Sequence, residues 1–474
     1  MKTWSFCLVL CAMFIINGSE YVSVHKTVAT ISEGSQVRID SVWLKQQDLF
    51  AHKSVNAIYR ANSYALIWHH GRITLPRATA LLEMLTNADQ YGLIGAEYNL
   101  DKADSLANVA PSDAVTAQRD VIITDAYFKF ASHLRSGRLK QDGTLRSIET
   151  DVDTTLISSA LEPVSNEAFR SVLENSQPGD IHFKSLSKAY RTTLVEYKRY
   201  LITEDTISAL GTQLLKMAIN LERLRWDYGN FDAQHILVNI PAYEVAVYED
   251  DSLVLSSKVI VGTNVTRTPE LSSYISCFRI YPYWHVPRSI ATKEILPTLK
   301  RDPGYLERMR FDVLNTKGQR VDHSNIDWKK YSASNFPFIL RQREGTDNSL
   351  GIVKFEFENR YGVYLHDTNA KGLFNQTVRA FSHGCVRVEK ATELARYLNR
   401  TNGGGASDED LTAYFQEKKR RDVNLSRQAQ ILIRYWTADE KGVYDDVYGR
   451  DEKLLEMFSE LLPEERELVS MEAP

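Results

Sequence analysis

Cysteine is scarce in this chain, and so is net charge. Only 4 of the 474 residues are cysteine, and Cys277 and Cys385 are the two outside the apolar N-terminal segment. Two cysteines cannot form the set of bridges that holds a small disulfide-rich domain together. Either these two pair with each other, or Cys385 stays reduced for chemistry. The net charge of −4 gives no basis for nucleic-acid binding, so no nucleic-acid partner is expected.

The apolar run at the N-terminus is short. Lys2 precedes it, the run extends from Trp4 to Ile16, and small residues follow at 17–19. This order is typical of an export signal, so we predict that residues 1–18 are a signal peptide. The run falls short of the roughly 20 residues of a membrane span. An uncleaved anchor and lipid attachment at Cys11 stay open, and membrane association is expected only in those two cases.

Two patterns of hydrophobic spacing divide the rest of the chain. Between about Asp40 and Trp226 apolar residues recur at helical spacing, and from about His235 they alternate as in strands. We therefore predict an α+β fold. Its parts are a helical domain (40–230), a mostly-β, sandwich-like domain (233–440) with a helical insertion (289–340), and a helical C-terminal tail (441–474). The insertion is a candidate lid, and a simple surface excursion is the alternative.

Candidate catalytic residues cluster in the stretch 361–388. His366 precedes the turn Ser382-His383-Gly384-Cys385, and Arg387 follows it. A free thiol has a pKa of about 8.5, and a nearby imidazole or positive group favours the nucleophilic thiolate. Alternation from Tyr361 to His366 predicts a strand with His366 at its end. The cluster predicts that Cys385 is a catalytic nucleophile.

Several roles stay open on the residues alone. His366 and His383 are rival general bases. The backbone N–H groups of Gly384 and Cys385 are candidates for an oxyanion hole. Arg387 is a candidate for binding a substrate carboxylate, with a structural ion pair as the alternative. The two histidines and the cysteine are also residue types that bind Zn²⁺, which would make the protein a zinc hydrolase.

The stretch resembles the catalytic motif of L,D-transpeptidases with a YkuD-type domain. That motif is a His, about fifteen residues, Ser/Thr-His-Gly-Cys, a hydrophobic residue, and Asn or Arg. His366, the span 367–381, Ser382 to Cys385, Val386 and Arg387 match it position by position. Other stretches resemble a large periplasmic subclass with a helical scaffold domain, among them NLERLRW (220–226), YPYWHVPRSI (281–290), YLHDT (364–368) and RYWTADEKGVYDDVYGRD (434–451).

This resemblance implies roles for the site residues. Cys385 would be the nucleophile, His366 the general base, and His383 a site residue of open role. Oxyanion or substrate-binding roles fall to Tyr364, Ser382, Gly384 and Arg387. No metal or organic cofactor is implied.

The resemblance also implies a substrate and a place. A peptidoglycan tetrapeptide stem would donate the acyl group and release D-Ala, and an amine of a neighbouring stem would accept it to form a 3→3 cross-link. This reaction belongs to cell-wall biogenesis and cell shape in the periplasm, and carbapenems are expected to acylate Cys385. An L,D-carboxypeptidase, a lipoprotein-attaching transpeptidase and an inactive wall-binding scaffold stay open as alternatives.

The chain departs from that subclass at two points. Members often carry a peptidoglycan-binding domain between the scaffold helices, and the sequence leaves no room for it between Leu201 and residues 220–226. His285 also stands where Asn is common in the subclass. One polar group near the site is therefore expected to differ.

Overall fold

The computed structural model describes residues 29–30, 37–110, 112–147, 154–162, 165–200, 204–227 and 229–462. The chain forms two compact units. The first holds the described residues up to Asn230, together with Ala438–Val443 and the residues from Arg450 onward; the second holds Phe231–Thr437 and Tyr444–Gly449. The predicted signal peptide lies outside the described residues.

The first unit is mainly helical, as the spacing predicts. Its longest helix, Asp113–Ser136, begins at Ser112, whose hydroxyl accepts the Val115 N–H at 3.2 Å. The other helices are Ser41–Lys45, His52–Ala61, Pro76–Thr86, Leu100–Ala107, Thr154–Leu161, Asn166–Glu174, Ile181–Tyr200, Glu204–Trp226 and Glu452–Met457. The short strands are Ala29–Thr30, Arg38–Ile39, His69–His70, Ile73–Thr74, Ala438–Asp439 and Gly442–Val443. No helix in the described ranges is long and apolar enough to cross a bilayer.

The second unit is built on a nine-stranded sheet. In chain order its strands are β1 (Gln234–Asn239), β2 (Glu244–Glu249), β3 (Ser252–Gly262), β4 (Leu271–Ile280), β5 (Val353–Phe357), β6 (Leu365–His366), β7 (Ala380–Ser382), β8 (Val386–Val388) and β9 (Arg421–Arg434). They lie in the order β7-β3-β8-β6-β5-β4-β9-β1-β2, and β2 also pairs with β3, so the sheet closes on itself. Helices Ala391–Asn402 and Asp408–Glu417 follow β8. The predicted α+β class is confirmed.

Alternation along the central strands separates a buried face from a polar face. Leu365 and Val386 are register partners and are fully buried in the core. Side chains alternate along a strand, and register partners share a face. His366 therefore lies on the opposite face together with its partners Lys354 on β5 and Arg387 on β8.

The insertion between β4 and β5 has a hydrophobic core of its own, which includes Leu299, Trp328 and Leu340. Its helices are Arg288–Ile290, the π-helix Ala291–Ile295, Leu296–Arg301 and Tyr305–Arg308. It also has a three-stranded sheet that the sequence pattern does not predict, in which Ile339–Gln342 lies between Phe311–Leu314 and Trp284–His285. These strands are too short to show a periodic pattern of apolar residues, and they pair with segments that are distant in the sequence.

The strand that carries His366 is shorter than the alternation from Tyr361 predicts. Only Leu365–His366 is strand. The side-chain oxygen Oδ1 of Asn359 accepts hydrogen bonds from the N–H groups of Tyr361 and Val363, both at 3.1 Å, and Gly362 has a φ of +66°. This side-chain-stabilised turn competes with strand pairing, so alternation alone overestimates the strand.

Candidate functional site

Cys385 lies in the bend between β7 and β8, where Ser382 fixes the backbone. The Ser382 hydroxyl donates to the Cys385 carbonyl at 2.5 Å and accepts the Gly384 N–H at 3.1 Å. Gly384 has a φ of +111°, which a residue with a Cβ rarely adopts. Ser382 is buried, so its role in this structure is to shape the bend that presents the thiol.

Two threonines that the sequence analysis did not single out hold this bend from the other side. Thr266 Oγ1 donates to the Ser382 carbonyl and Thr268 Oγ1 donates to the Gly384 carbonyl, each at 2.9 Å. Thr268 is fully buried. Their spacing in the loop after β3 carries no catalytic motif, so only the three-dimensional contact reveals them.

His366 is buried at the end of β6 and has one ring nitrogen already engaged. Its Nδ1 lies 2.5 Å from the Asp367 carbonyl oxygen. A carbonyl can only accept, so the hydrogen bond to Asp367 places a proton on Nδ1, and the Leu350 backbone makes a second contact with the ring. Burial first, and then the charge of Arg387, lowers the His366 pKa to about 3. The imidazole is therefore neutral in the physiological range.

The Cys385 thiol is surrounded by groups with opposing effects. Burial raises its pKa, whereas hydrogen bonds from the Tyr364 backbone and hydroxyl, and the charges of Lys354 and Arg387, lower it. Two contacts fix the side chain of Lys354: its Nζ lies 4.1 Å from the Tyr364 ring centroid and 2.8 Å from Glu356 Oε1. Burial is the largest of these effects, so the pKa of the Cys385 thiol lies above its ordinary value.

Arg387 is partly buried on the same face. Burial lowers the pKa of its guanidinium, and the sulfur of Cys385 acts in the opposite direction. No carboxylate in the described ranges lies within ion-pair distance of it. The structural ion pair considered for Arg387 is thus absent from this part of the chain, and its guanidinium is left for a ligand.

His383 contacts the insertion. Its exposed imidazole places Nε2 2.6 Å from Glu294 Oε1, on the π-helix of the insertion. The turn at Gly384 is not extended, so His383 and Cys385 do not share a direction as an extended segment would require. Among the described residues, no three His, Cys, Asp or Glu side chains converge as metal ligands would. The arrangement of donors gives no support to the zinc alternative.

One of the two N–H groups expected in an oxyanion hole is already bonded. The Gly384 N–H donates to Ser382 Oγ, so in this conformation it does not face a substrate. The Val386 N–H donates to the Tyr364 carbonyl at 3.1 Å. The Cys385 N–H between them is the backbone donor that remains a candidate.

Cys277 and Cys385 are both free, and the sheet keeps them apart. Cys277 on β4 is the register partner of Glu356 on β5. Between β4 and Cys385 lie β5 and β6, so three strand spacings separate the two cysteines, roughly 14 Å. A disulfide needs Cα atoms within about 7 Å, so this fold excludes a bridge.

Residues 233–409 match the model of the L,D-transpeptidase catalytic domain, YkuD, and residues 53–189 match that of the Scaffold domain. A Haemophilus influenzae protein named as an L,D-transpeptidase is 32% identical over 346 residues, covering 71% of this chain and 67% of that protein.

Solved structures give a weaker match. The catalytic domain of Enterococcus faecium L,D-transpeptidase acylated by ertapenem is 11% identical over 44% of this chain and 100% of that chain, with a TM-score of 0.20. A crystal structure of a mutant E. faecium L,D-transpeptidase is 11% identical over 44% of this chain and 52% of that chain, with a TM-score of 0.18. The chain thus spans about half the length of that solved relative. Family membership is therefore shown by the matches to the two domain models and to the Haemophilus protein.

Proposed function

The chain belongs to the L,D-transpeptidases that combine a YkuD-type catalytic domain with a scaffold domain, and we propose that Cys385 carries out its acyl transfer on peptidoglycan. The donor is a tetrapeptide stem that loses its terminal D-Ala. The acceptor is an amine of a neighbouring stem, and the product is a 3→3 cross-link. The observation that supports this most is the position of Arg387, which is the register partner of His366 and whose charge lowers the pKa values of both His366 and Cys385.

In the first half-reaction the sulfur of Cys385 attacks the carbonyl that precedes D-Ala. The thiol proton passes to Nε2 of His366, which is the unprotonated ring nitrogen of the tautomer that the Nδ1 hydrogen bond favours. The C–N bond then breaks, the amine of D-Ala takes the proton from His366, and a thioester remains on Cys385. In the second half-reaction the acceptor amine attacks the thioester carbonyl and passes a proton to His366. The C–S bond then breaks, and His366 returns the proton to the sulfur of Cys385.

Arg387 has two effects in this scheme. Its guanidinium pairs with a carboxylate of the donor stem, since it lies partly buried beside the thiol with no carboxylate of its own among the described residues. The same positive charge lowers the His366 pKa in the free protein. A bound carboxylate offsets that charge and raises the basicity of His366 when the proton has to move.

The negative charge that develops on the oxygen of the attacked carbonyl has to be stabilised by hydrogen-bond donors. The Cys385 N–H is one candidate, since its neighbours at Gly384 and Val386 are already bonded. The Tyr364 hydroxyl, which lies within hydrogen-bonding reach of the sulfur, is the second. Ser382 acts by holding the bend, so its contribution is to position Cys385.

The insertion is proposed to cover the site as a lid, and the contact between His383 and Glu294 supports its closeness to the catalytic bend. The export signal at residues 1–18 supports action in the periplasm on the cell wall. The E. faecium catalytic domain is acylated by ertapenem, and we propose that carbapenems acylate Cys385 in the same way. A stem amine is the proposed acceptor, with a lipoprotein amine or water as the alternatives.

The test is product analysis with the purified protein lacking residues 1–18. A disaccharide-tetrapeptide is supplied, and free D-Ala and 3→3 dimers are measured by liquid chromatography and mass spectrometry. Wild type should give both products, and Cys385→Ala should give neither. Release of D-Ala without dimers would identify an L,D-carboxypeptidase, and no turnover by wild type would favour the inactive scaffold.

A further inference from the structure

A band of basic side chains continues from the catalytic face towards the insertion. Its centre is His285, on the strand Trp284–His285, where Arg341 is its register partner. Burial lowers the His285 pKa, and the charges of Arg341, Lys354, Arg279 and Arg420 lower it further. These four cations therefore lie around one exposed position between the insertion and the sheet. We call Arg279, Lys354, Arg341 and Arg420 the basic strip.

Lys354 joins the basic strip to the reacting groups. In the register of the sheet it is the partner of Arg279 on one side and of His366 on the other. Its charge lowers the pKa of both His366 and Cys385. A ligand bound along the basic strip would thus begin at the thiol and extend across the sheet.

Arg341 is pre-organised at the far part of the basic strip. One of its terminal nitrogens donates to Asp312 Oδ2 at 2.7 Å, and its guanidinium carbon lies 4.7 Å from the Tyr283 ring centroid. Arg420 lies near the same ring, at 5.9 Å. A guanidinium held flat on an aromatic ring loses less freedom when it binds a carboxylate.

The acidic residues of this region do not cancel its charge. Asp312 is buried and is shared by three arginines, Arg320, Arg341 and Arg343. Its single charge is therefore divided among three cations. Glu356 forms ion pairs with both Arg279 and Lys354. Asp422 forms ion pairs with both Arg279 and Arg420. In these ion pairs six cations share three carboxylates, so the positive charges outnumber the negative ones.

We propose that the basic strip binds the free carboxylates of the acyl-donor stem, so that the enzyme prefers stems whose carboxylates are not amidated. This inference rests on the proposed function. The ligand chemistry that fits is an extended peptide with several carboxylates, one near the thiol at Arg387 and others reaching Lys354 and Arg341. Charge-assisted hydrogen bonds to guanidinium groups supply the preference.

Equilibrium binding tests this without requiring turnover. Cys385→Ala protein is titrated with two forms of the tetrapeptide stem, one with free carboxylates and one with its side-chain carboxylates amidated. The free form should bind more tightly. Adding Arg341→Gln should weaken binding of the free form by about tenfold and change binding of the amidated form much less, as expected for one charge-assisted bond.

The matched control is Arg320→Gln. Arg320 donates to the same carboxylate, Asp312, at 2.6 Å, but its side chain is 63% exposed and is not part of the basic strip. Its replacement should leave both affinities unchanged. Arg420→Gln serves as a second, surface variant should Arg341→Gln disturb folding, and it should also weaken the free form selectively.

Equal affinity of Cys385→Ala for the two stems would overturn the inference, as would equal effects of Arg341→Gln and Arg320→Gln. Turnover by wild type is measured separately with the free stem. Selective binding of the free stem without turnover would support the role of the basic strip and reject the proposed function. Turnover without selective binding would support the proposed function and reject the role of the basic strip.

Discussion

His366 and Arg387 are register partners on the parallel strands β6 and β8, so the imidazole and the guanidinium stand side by side on one sheet face. Burial is the main cause of the low His366 pKa of about 3, and the charge of Arg387 is the second cause. The same guanidinium lowers the pKa of the Cys385 thiol. A single cation thus lowers the basicity of the His366 imidazole and favours the thiolate form of Cys385.

Removing the charge of Arg387 should raise two pKa values at once. In Arg387→Gln the protonated imidazole of His366 and the neutral thiol of Cys385 both become relatively more stable. The His366 pKa is measured by NMR of its ring protons, and the Cys385 pKa by the pH dependence of alkylation with iodoacetamide. Arg387→Lys keeps the charge and should move both values much less. Movement of the two pKa values in opposite directions would contradict this electrostatic account.

Burial of neutral His366 should make folding stability depend on pH. The pKa of His366 is about 3 in the folded protein and about 6.5 in an unfolded chain. The unfolded state therefore binds the proton first as pH falls. The contribution of this group is fully present above about pH 6.5, declines below it, and is lost by about pH 3.

The loss approaches about 1.4 kcal/mol per pH unit for one such group. Urea unfolding of wild type and His366→Gln between pH 7.5 and 5 measures it. Stability of the variant should fall less steeply with acid than that of wild type. Parallel slopes would show that His366 is not held neutral by the fold.

The two histidines should differ sharply in their effect on acylation. His366→Ala removes the proposed base, so acylation of Cys385 should slow by about 100-fold or more. His383→Gln removes an exposed contact with Glu294 and should slow it far less. Stopped-flow fluorescence with a carbapenem measures both rates. Equal or reversed effects would reject His366 as the base.

Two glycines offer a matched test of the support behind His366. A Cβ at Gly351 would run into the Asp367 carboxylate, whereas a Cβ at Gly362 would meet nothing within 4 Å. Both have positive φ, +60° and +66°. Each alanine variant should therefore lose about 1–2 kcal/mol from backbone strain.

Gly351→Ala should also displace Asp367, whose carbonyl fixes the His366 tautomer, and so should slow acylation as well as reduce stability. Gly362→Ala should reduce stability alone. Denaturation midpoints and acylation rates separate the two effects. Equal acylation rates in the two variants would show that Asp367 does not position the base.

The fold was predictable where periodicity is long. Glu204–Trp226 keeps helical spacing throughout, and the alternation in Val353–Phe357 marks a strand with one apolar face. Pairs such as Phe311–Leu314 with Ile339–Gln342 were not predictable, because their signal is pairing across a long loop and not local pattern. The Asn359 turn shortened a predicted strand through a side-chain hydrogen bond that alternation does not encode.

The candidate site was predictable as far as its motif extends. His366 and Arg387 of the motif are register partners, and Tyr364 and Arg387 both act on the pKa of the Cys385 thiol. Lys354 and Thr268 lie far away in sequence and carry no motif, so only sheet register and a loop contact reveal them. The position of His383 depends on a bend at Gly384 and on Glu294 of the insertion, and the local sequence pattern encodes neither of these contacts.

The most direct measurement of the central claim is the intact mass of the protein after brief exposure to a tetrapeptide stem. Wild type should gain the mass of the stem less D-Ala, and peptide mapping should place that thioester on Cys385. Cys277→Ser should gain the same mass, and Cys385→Ala should gain none. An adduct that persists in Cys385→Ala, or that maps to Cys277, would contradict the assignment of Cys385 as the nucleophile.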